Sequence, residues 1–195
     1  MRTTAEKPKP AAPGYSVEAE RALMQWIGET CGREIAEATG GDAARTALLA
    51  AITANESGGC RSAYRFDPGN HQRLLGLLAG AESSVDGLTR SQLEKRLKAA
   101  ASDAERGSLL KKLAGLHGYT GLAGYHTILW KAPLEALVDK GRHFELAARR
   151  LEELCREHTL DPATQAVEVG RLWNAGSANG RTRAALYSWR LRERM

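Results

Sequence analysis

The feature that most constrains this chain is an apolar helical stripe that ends in a carboxylate. Within residues 42–56, Leu48, Ile52 and Glu56 recur every four positions, and a Ser-Gly-Gly turn follows at once. Residues four apart lie on one face of a helix, so the face that carries Leu48 and Ile52 into a core also carries Glu56. The pattern predicts a helix whose buried face terminates in an acid at the edge of the core.

A glutamate in that position has two interpretations. Partial desolvation disfavours the charged form and raises a carboxyl pKa, which is how a glutamate becomes a general acid near neutral pH. Alternatively, Glu56 is an ordinary surface residue at a helix end, although the helix dipole disfavours an acid there. The segment alone leaves both interpretations open.

Helical signals dominate the remaining sequence, which predicts a mainly α protein with one domain. Polar caps precede apolar runs, and two Ser-to-Glu spacings fit the capping box. Residues 57–67 and 115–128 are loop-like, with a short hairpin arm suited to residues 61–67, and no segment alternates cleanly enough for a confident strand. The predicted helices run from Ser16 to about Ala38, from Asp42 to Glu56, from Pro68 onward, from Ser91 to about Ala101, from Ser102 to about Leu113, from Arg142 to His158, from Asp161 to about Asn174, and from about Gly180 to Arg194.

The apolar positions of these helices give an expected core. We expect the helix Arg142–His158 to be central, because its apolar residues recur at helical spacing over most of its length. In the first and third helices the expected core-facing residues are Leu23, Trp26, Ile27, Leu74, Leu75, Leu77 and Leu78.

Length and composition fit one folded domain without a membrane span. The chain has 195 residues, of which 43% are apolar, and no run approaches the ~18 apolar residues that a spanning helix needs. Residues 1–14 are charged, contain three prolines and lack the hydrophobic stretch of a secretory signal. We therefore predict a flexible leader over residues 1–14 and a folded domain over residues 15–195.

Charge and side-chain chemistry narrow the ligand classes without selecting one. The net charge is +5, and five arginines in the last fifteen residues suit any polyanion: nucleic acid, anionic lipid or a bacterial cell wall. A solvated helix face explains the same run. The three cysteines suit small buried residues, although a Cys31–Cys60 bridge is open, and the histidines lack metal-ligand spacing. No metal or other cofactor is predicted.

Three small-residue segments lie beside predicted helices: Glu56–Gly59, Gly121–Ile128 and Trp173–Ser177. Over roughly residues 40–190, their order resembles that of lytic transglycosylases, the lysozyme-like enzymes that cut peptidoglycan. The family pattern is an apolar helix ending in E-S-x-G, then a G-L-M-Q-I loop, then A-Y-N-A-G. Ala63–Pro68 also resembles the A-Y-R-F-E-P stretch of phage-associated and mobile-element members. The resemblance implies a single lysozyme-like domain with a glycan-binding cleft.

The middle segment departs most from the family pattern. Aligning Gly124–Ile128 with G-L-M-Q-I places Thr127 at the glutamine, and aligning Gly121–Gly124 with it also loses the glutamine. Trp173 stands where the family has tyrosine. These departures motivate a second hypothesis, in which a degenerate lysozyme-like domain is a binding or structural part of a virion or secretion machine.

The resemblance implies cleavage of the β-1,4 bond between N-acetylmuramic acid and N-acetylglucosamine. Glu56 would protonate the leaving oxygen and then, as a base, take the proton of the muramoyl 6-hydroxyl, which closes onto C1 as a 1,6-anhydro end. A muramidase, which hydrolyses the bond, usually needs a second carboxylate. Asp67 is the candidate, although its place before Pro68 also suits a helix cap, and no other obvious acid lies near the motifs.

Eight further residues are predicted to bind the glycan or to orient the acid, because they lie in the motifs or offer aromatic surfaces. Core packing or helix capping is the alternative for each of them, so that Ser57, for example, either orients Glu56 or ends its helix. The predicted substrate-binding residues are Ser57, Tyr64, Tyr125, His126, Thr127, Trp173, Asn174 and Tyr187.

The predicted partner is the peptidoglycan glycan strand. Without its own export signal, such an enzyme would be made in the cytoplasm and delivered to the cell wall by a phage virion, a lysis cassette, or a conjugation or secretion apparatus. A helical nucleic-acid-binding protein that uses the Arg181–Arg194 run is a third hypothesis. It leaves the three motifs unexplained, so nucleic acid is not the expected partner.

Overall fold

The protein is mainly helical, as the sequence predicts. The computed structural model describes residues 16–59, 63–175 and 194–195, and this part contains eight α-helices, one 3-10 helix and four two-residue strands. Their bounds are α1 Val17–Ala38, α2 Ala43–Glu56, β1 Ala63–Tyr64, α3 Pro68–Ala79, β2 Ser84–Val85, β3 Leu88–Thr89, α4 Arg90–Leu97, α5 Asp103–Gly115, β4 Leu116–His117, α6 His126–Leu129, the 3-10 helix Leu134–Leu137, α7 Lys140–His158 and α8 Ala166–Ala175.

Four helices begin where their polar caps predict. The side chains of Ser16, Asp42, Asp67 and Ser102 each accept a hydrogen bond from the backbone N–H three residues later, at 2.8 to 3.3 Å. Each cap satisfies one of the backbone donors that the first helical turn leaves unpaired. These starts are confirmed because a cap depends only on neighbouring residues.

Other boundaries and faces differ from the prediction. The capping box before α4 is built by Thr89 and Gln92, so that helix begins before the predicted Ser91. Asp161 heads a turn rather than a helix, because its side chain accepts a hydrogen bond from the backbone N–H of Ala163, and α8 begins only at Ala166.

Two residues expected to face the core are exposed. Trp26 is 52% exposed on α1 and Leu75 is 37% exposed on α3, whereas Ile27, Leu74 and Leu77 are completely buried. Each misplaced residue adjoins a buried one, and a neighbour on a helix points about 100° away. The predicted apolar faces therefore lie on the correct sides of these helices, but each prediction included a residue that lies outside the buried stripe.

The helices enclose two main groups of buried apolar residues. One core lies where α7 packs on α1, α2 and α8, and it includes Ile27, Leu49 and Phe144. The other lies among α3, α4 and α5, around Leu74 and Leu113. The central position predicted for α7 is confirmed by its contacts with three other helices.

The segment between α5 and α7 contributes to both cores. Tyr119, Leu122 and Trp130 pack into the core around α7, while Ala123 and Tyr125 pack into the core around α3 and α5. Side chains from one short segment are thus buried on two sides. Its path between the two cores positions the site described below.

Two pairs of short antiparallel strands complete the fold. β1 pairs antiparallel with β4, with Ala63 opposite His117, so the predicted hairpin arm pairs with a distant segment. β2 and β3 form a hairpin around Asp86 and Gly87, which the sequence analysis did not assign. Both turn residues have positive φ, 48° and 82°, as a two-residue Asp-Gly turn requires.

The end of the chain is anchored beside α2. The side chain of Arg194 is only 3% exposed, forms an ion pair of 2.6 Å with Glu20 on α1 and donates to the side chain of Asn55. This arginine therefore does not belong to a solvated basic face. The rest of the predicted helix from about Gly180 to Arg194 lies outside the described residues, as does the predicted leader.

Two further findings concern cysteine and membrane. Cys31 is a free, completely buried thiol on α1, which fits its interpretation as a small apolar residue, and Cys60 lies outside the described residues. In the part of the chain that the structure describes, no helix has the length and apolar character needed to cross a membrane.

Candidate active site

A cleft of about 530 Å³ opens beside the segment that joins the two cores. Its lining comes from α3, the β2–β3 hairpin, the loop after β4, α7 and α8. Polar and charged groups are prominent, among them Asn70, Arg73, Asp86, Arg150 and Asn174. A polar cleft of this size suits a ligand rich in hydroxyl or amide groups.

Glu56 lies at the point where three distant segments meet. It is the last residue of α2 and is half-buried. The amide nitrogen Nδ2 of Asn174 on α8 donates to its Oε1 at 3.4 Å. Gly121 approaches the other oxygen, since a Cβ built on this glycine would lie 2.6 Å from Oε2. We call Glu56, Gly121 and Asn174 the Glu56 wall; two of its members, Gly121 and Asn174, line the cleft.

Glycine is favoured at position 121 for two reasons. Its φ is +78°, a conformation that other residues adopt only with strain. Any side chain would also overlap the present position of the Glu56 carboxyl group, which would have to shift. The backbone of the loop therefore lies directly beside this carboxyl group.

A buried histidine holds this loop against α7 and α8. Nε2 of His143 accepts a hydrogen bond from the Thr120 backbone N–H at 3.1 Å and lies 3.0 Å from the Thr120 hydroxyl. The indole Nε1 of Trp173 donates to the Thr120 carbonyl oxygen at 2.9 Å. Thr120 is thus fixed from α7 and from α8, directly before Gly121.

His143 is neutral in the folded protein. Its ring is completely buried, and burial lowers its pKa to about 3. Because Nε2 accepts the Thr120 N–H, the ring proton resides on Nδ1, which has no hydrogen-bond partner among the described residues. The ring also leaves no room at Gly118, where a Cβ would lie 2.1 Å from Cε1. From the sequence, His143 was noted only among the histidines that lack metal-ligand spacing, so this role was not predicted.

The carboxylate of Asp86 lines the cleft itself. The Tyr125 hydroxyl donates to one oxygen of Asp86, and Arg73 forms an ion pair of 3.3 Å with the other. Burial raises the pKa of Asp86, but the hydrogen bond from Tyr125 and the charge of Arg73 outweigh it, so the net pKa is lowered. Burial and the Asp86 charge together raise the pKa of Tyr125. We call Asp86, Tyr125 and Arg73 the Asp86 wall.

The sequence analysis missed Asp86, although a signal for its position exists. The dipeptide Asp86-Gly87 between Val85 and Leu88 is a strong short-range indication of a hairpin. What the dipeptide does not indicate is the contact with Tyr125, which is 39 residues away. The hairpin was predictable from the sequence, whereas its place in the cleft was not.

His126 and Thr127 are buried at the start of α6, directly after the loop. Burial lowers the pKa of His126 to about 4, its Nδ1 accepts the Ala123 N–H at 3.1 Å, and its ring stacks on Tyr125. Thr127 is completely buried, does not line the cleft, and donates its hydroxyl to the Gly124 carbonyl at 2.7 Å. We therefore assign Thr127 to loop structure rather than to glycan contact.

The remaining predicted residues are divided between the cleft and its surroundings. Trp173 lines the cleft, as do Tyr125 and His126, although Tyr125 is only 3% exposed. Ser57 ends α2, because its hydroxyl donates to the Thr53 carbonyl at 3.2 Å and accepts the Gly59 N–H. Tyr64 is 58% exposed on β1, outside the cleft lining.

Three predictions remain, and they concern Asp67, Tyr187 and metal binding. Asp67 caps α3 and does not line the cleft, which supports its interpretation as a helix cap. Tyr187 lies outside the described residues. Within the described ranges, no group of three or more His, Cys, Asp and Glu side chains is arranged to hold a metal ion.

Comparisons with known proteins returned no match: no family model, curated protein or solved structure resembles this chain at a significant level. The sequence motifs and the geometry of the cleft therefore remain as the indications of function.

Proposed function

We propose that this protein is a peptidoglycan lytic transglycosylase that uses Glu56 as its acid and base. The observation that carries the proposal is the convergence of Glu56, Gly121 and Asn174, the last two of which line the cleft. These residues come from the three sequence segments that resemble the family motifs, and 118 residues separate Asn174 from Glu56. Chance similarity in three short motifs would not require the motifs to meet in space.

The chemistry needs one carboxyl group in two protonation states. Protonated Glu56 donates its proton to the glycosidic oxygen as the bond to muramoyl C1 breaks, and positive charge develops at C1. The ionised carboxylate then takes the proton of the muramoyl 6-hydroxyl, whose oxygen bonds to C1. The products are a free 4-hydroxyl on one strand and a 1,6-anhydromuramoyl end on the other, and Glu56 is protonated again.

The neighbours of Glu56 support this cycle by fixing the carboxyl group. Gly121 limits its movement on one side, and the Asn174 amide binds the oxygen on the other side. Holding a catalytic group in a defined position is itself a large part of rate enhancement.

The open cleft favours an enzyme over a degenerate binding domain. A degenerate domain would be expected to have its cleft blocked, for which Tyr125 and Trp173 are the bulky candidates. Tyr125 is instead packed into the wall, and the indole N–H of Trp173 is bonded to the Thr120 carbonyl, so about 530 Å³ remains free. This volume is large enough for part of a glycan strand.

Hydrolysis by a muramidase is the second candidate, and Asp86 is the observation that favours it. Asp67 caps a helix, but Asp86 lines the cleft and its lowered pKa keeps it ionised near neutral pH. An ionised carboxylate in the cleft is what a hydrolase uses to stabilise C1 or to direct water. Delivery of the protein to the glycan strands of the wall by a virion or secretion apparatus belongs to either form of the proposal.

The test is digestion of purified peptidoglycan sacculi, with mass spectrometry of the released muropeptides. The wild type is compared with Glu56→Gln and with the matched control Glu145→Gln, which changes an exposed glutamate on α7. Anhydromuramoyl ends from the wild type and the control, but not from Glu56→Gln, are the expected result.

The other outcomes are equally informative. Reducing muramoyl ends would establish a hydrolase and direct attention to Asp86. No release by wild-type protein that circular dichroism shows to be folded would overturn the enzyme proposal. Sedimentation with intact sacculi would then test the binding hypothesis.

A further inference from the structure

A second recess of about 600 Å³ lies on the other side of the short helix α6 from the cleft residues Tyr125 and His126. It lies between the last turns of α4 and the segment that follows α6, and it shares no lining residue with the cleft. We call it the basic recess and define it by six of its lining residues: Lys95, Arg96, Lys131, Ile128, Leu129 and Pro133.

Three cations line the basic recess without a neutralising acid. Lys95, Arg96 and Lys131 make no ion pair within 4 Å among the described residues. Lys95 and Arg96 lie in the last turn of α4, where the helix dipole favours positive charge. The dipole does not explain Lys131, which lies outside α4. An unneutralised cluster of this kind attracts an anion.

The guanidinium of Arg96 is the part of the recess best suited to a carboxylate. Arg96 lines the recess, and its buried Nε has no hydrogen-bond partner in the described part of the chain. Because Nε is buried, a ligand would meet the guanidinium at its two Nη groups. These form the end of a planar fork that matches the two oxygens of a carboxylate.

Lys131 has an unusual backbone conformation at the same place. Its φ is 54°, a left-handed conformation that costs a non-glycine residue energy and that ends α6. The Ala132 N–H closes this turn by donating to the Thr127 carbonyl at 2.8 Å. A glycine would form the turn without strain, whereas lysine adds a positive charge to the recess.

We propose that the basic recess binds a carboxylate that carries a small apolar group, of the kind found at the C-terminal residue of a peptide. Arg96 binds the carboxylate through the two Nη groups of its guanidinium, and the two lysines contribute charge. Ile128, Leu129 and Pro133 give the recess an apolar surface for the attached group. Neither Glu56 nor the cleft is involved, so this proposal stands apart from the proposed enzyme activity.

The experiment titrates the isotope-labelled full chain with N-acetyl-leucine and follows the Arg96 Nε–H signal by NMR. Acetate tests the contribution of the apolar group, and inorganic phosphate tests whether any anion suffices. A saturable shift of the Arg96 signal that is tighter for N-acetyl-leucine than for acetate or phosphate is expected. Absence of a shift, or equal affinity for acetate or phosphate, would overturn the proposal.

Substitutions of two arginines on α4 separate specific binding from a general effect of positive charge. Arg96→Gln should weaken N-acetyl-leucine binding about tenfold or more, the loss expected for one charge-assisted paired hydrogen bond. Arg96→Lys keeps the charge but lacks the planar fork and should also bind more weakly. Arg90→Gln is the control, because Arg90 lies on α4 but is exposed and paired with Glu94 at 2.6 Å. Equal weakening by the Arg90 and Arg96 variants, with α4 intact by amide chemical shifts, would contradict the assignment.

Discussion

The Glu56 wall and the Asp86 wall each present a carboxylate near the same cleft, but they surround it differently. Asp86 accepts a hydrogen bond from the Tyr125 hydroxyl and pairs with the Arg73 cation. Glu56 accepts a hydrogen bond from the Asn174 amide, and the backbone of Gly121 lies beside its carboxyl group.

The difference determines what each acid can do. A cation and a strong donor hold Asp86 ionised, which suits a fixed negative charge and prevents proton transfer near neutral pH. A general acid has to exchange its proton, and this is the role proposed for Glu56. We therefore propose proton transfer for the Glu56 wall and a fixed field for the Asp86 wall.

The largest expected effect separates the two carboxylates directly. Glu56→Gln should lower the rate of sacculus digestion by about 10²- to 10⁴-fold, the usual contribution of general acid–base catalysis. Asp86→Asn should lower it by much less, because the fixed charge assists without transferring a proton. Initial rates of dye release from labelled sacculi measure both.

The same two variants can also contradict this division of roles between Glu56 and Asp86. If Asp86→Asn removes as much activity as Glu56→Gln, and the products have reducing ends, then both acids act in hydrolysis. Thermal unfolding of each variant distinguishes that result from a loss of fold.

Gly121→Ala is expected to have the next largest effect. The added Cβ would lie 2.6 Å from Oε2 of Glu56, and φ of +78° strains any residue except glycine. Displacing a catalytic group by about 1 Å can cost about 10²-fold in rate, so we expect a loss of that order. Gly87→Ala, at an open turn position with φ of +82°, controls for backbone strain alone. Equal activity in the two variants would show that contact between Gly121 and Glu56 is unimportant.

Because two histidines near the cleft are buried, we expect the free energy of unfolding to fall at acidic pH. The pKa of His143 is lowered to about 3 and that of His126 to about 4, from an ordinary 6.5. Below about pH 6.5 the unfolded chain binds protons that the native protein does not, so stability present above that pH is lost on acidification. As the pH falls from about 7.5 to about 5.5, each of these two buried histidines should lower the free energy of unfolding by about 1.4 kcal/mol.

Urea unfolding at several pH values measures this loss, and one variant should halve it. His143→Gln removes one of the two buried rings and should therefore reduce the pH dependence by about half. His158→Gln changes an exposed histidine on the same helix and should leave the dependence intact. An unchanged slope in His143→Gln would mean that the ring is not buried in its neutral form.

The smallest expected effect concerns Ser57. Its hydroxyl bonds the Thr53 carbonyl and the Gly59 N–H, so Ser57→Ala should lower the unfolding free energy by about 0.5–1.5 kcal/mol and leave the digestion rate unchanged. Chemical denaturation and the sacculus assay provide the two measurements. A rate loss comparable to that of Glu56→Gln would instead mean that Ser57 orients the acid.

The parts of the fold that were predictable are those encoded over a few residues. Ser16, Asp42, Asp67 and Ser102 mark helix starts because each cap binds a backbone N–H three residues away. The apolar repeat of α7 likewise indicates a central helix. Asp161 misled the prediction because its side chain satisfies a turn as well as it would satisfy a helix.

The candidate site was predictable only in part. The motifs singled out Glu56, Trp173 and Asn174 in the sequence. They gave no reason to connect His143 with Thr120, or Asp86 with Tyr125, because those pairs are 23 and 39 residues apart and have no local signature.

The sequence by itself determined the helical class, most helix starts and the presence of an acid at the end of an apolar helix, since all three depend on short-range spacing. The tertiary structure alone decided which side chains share the cleft. Asn174 reaches Glu56 across 118 residues only after α2, α7 and α8 have packed together. The charge state of Asp86 likewise depends on burial and on neighbours that folding supplies.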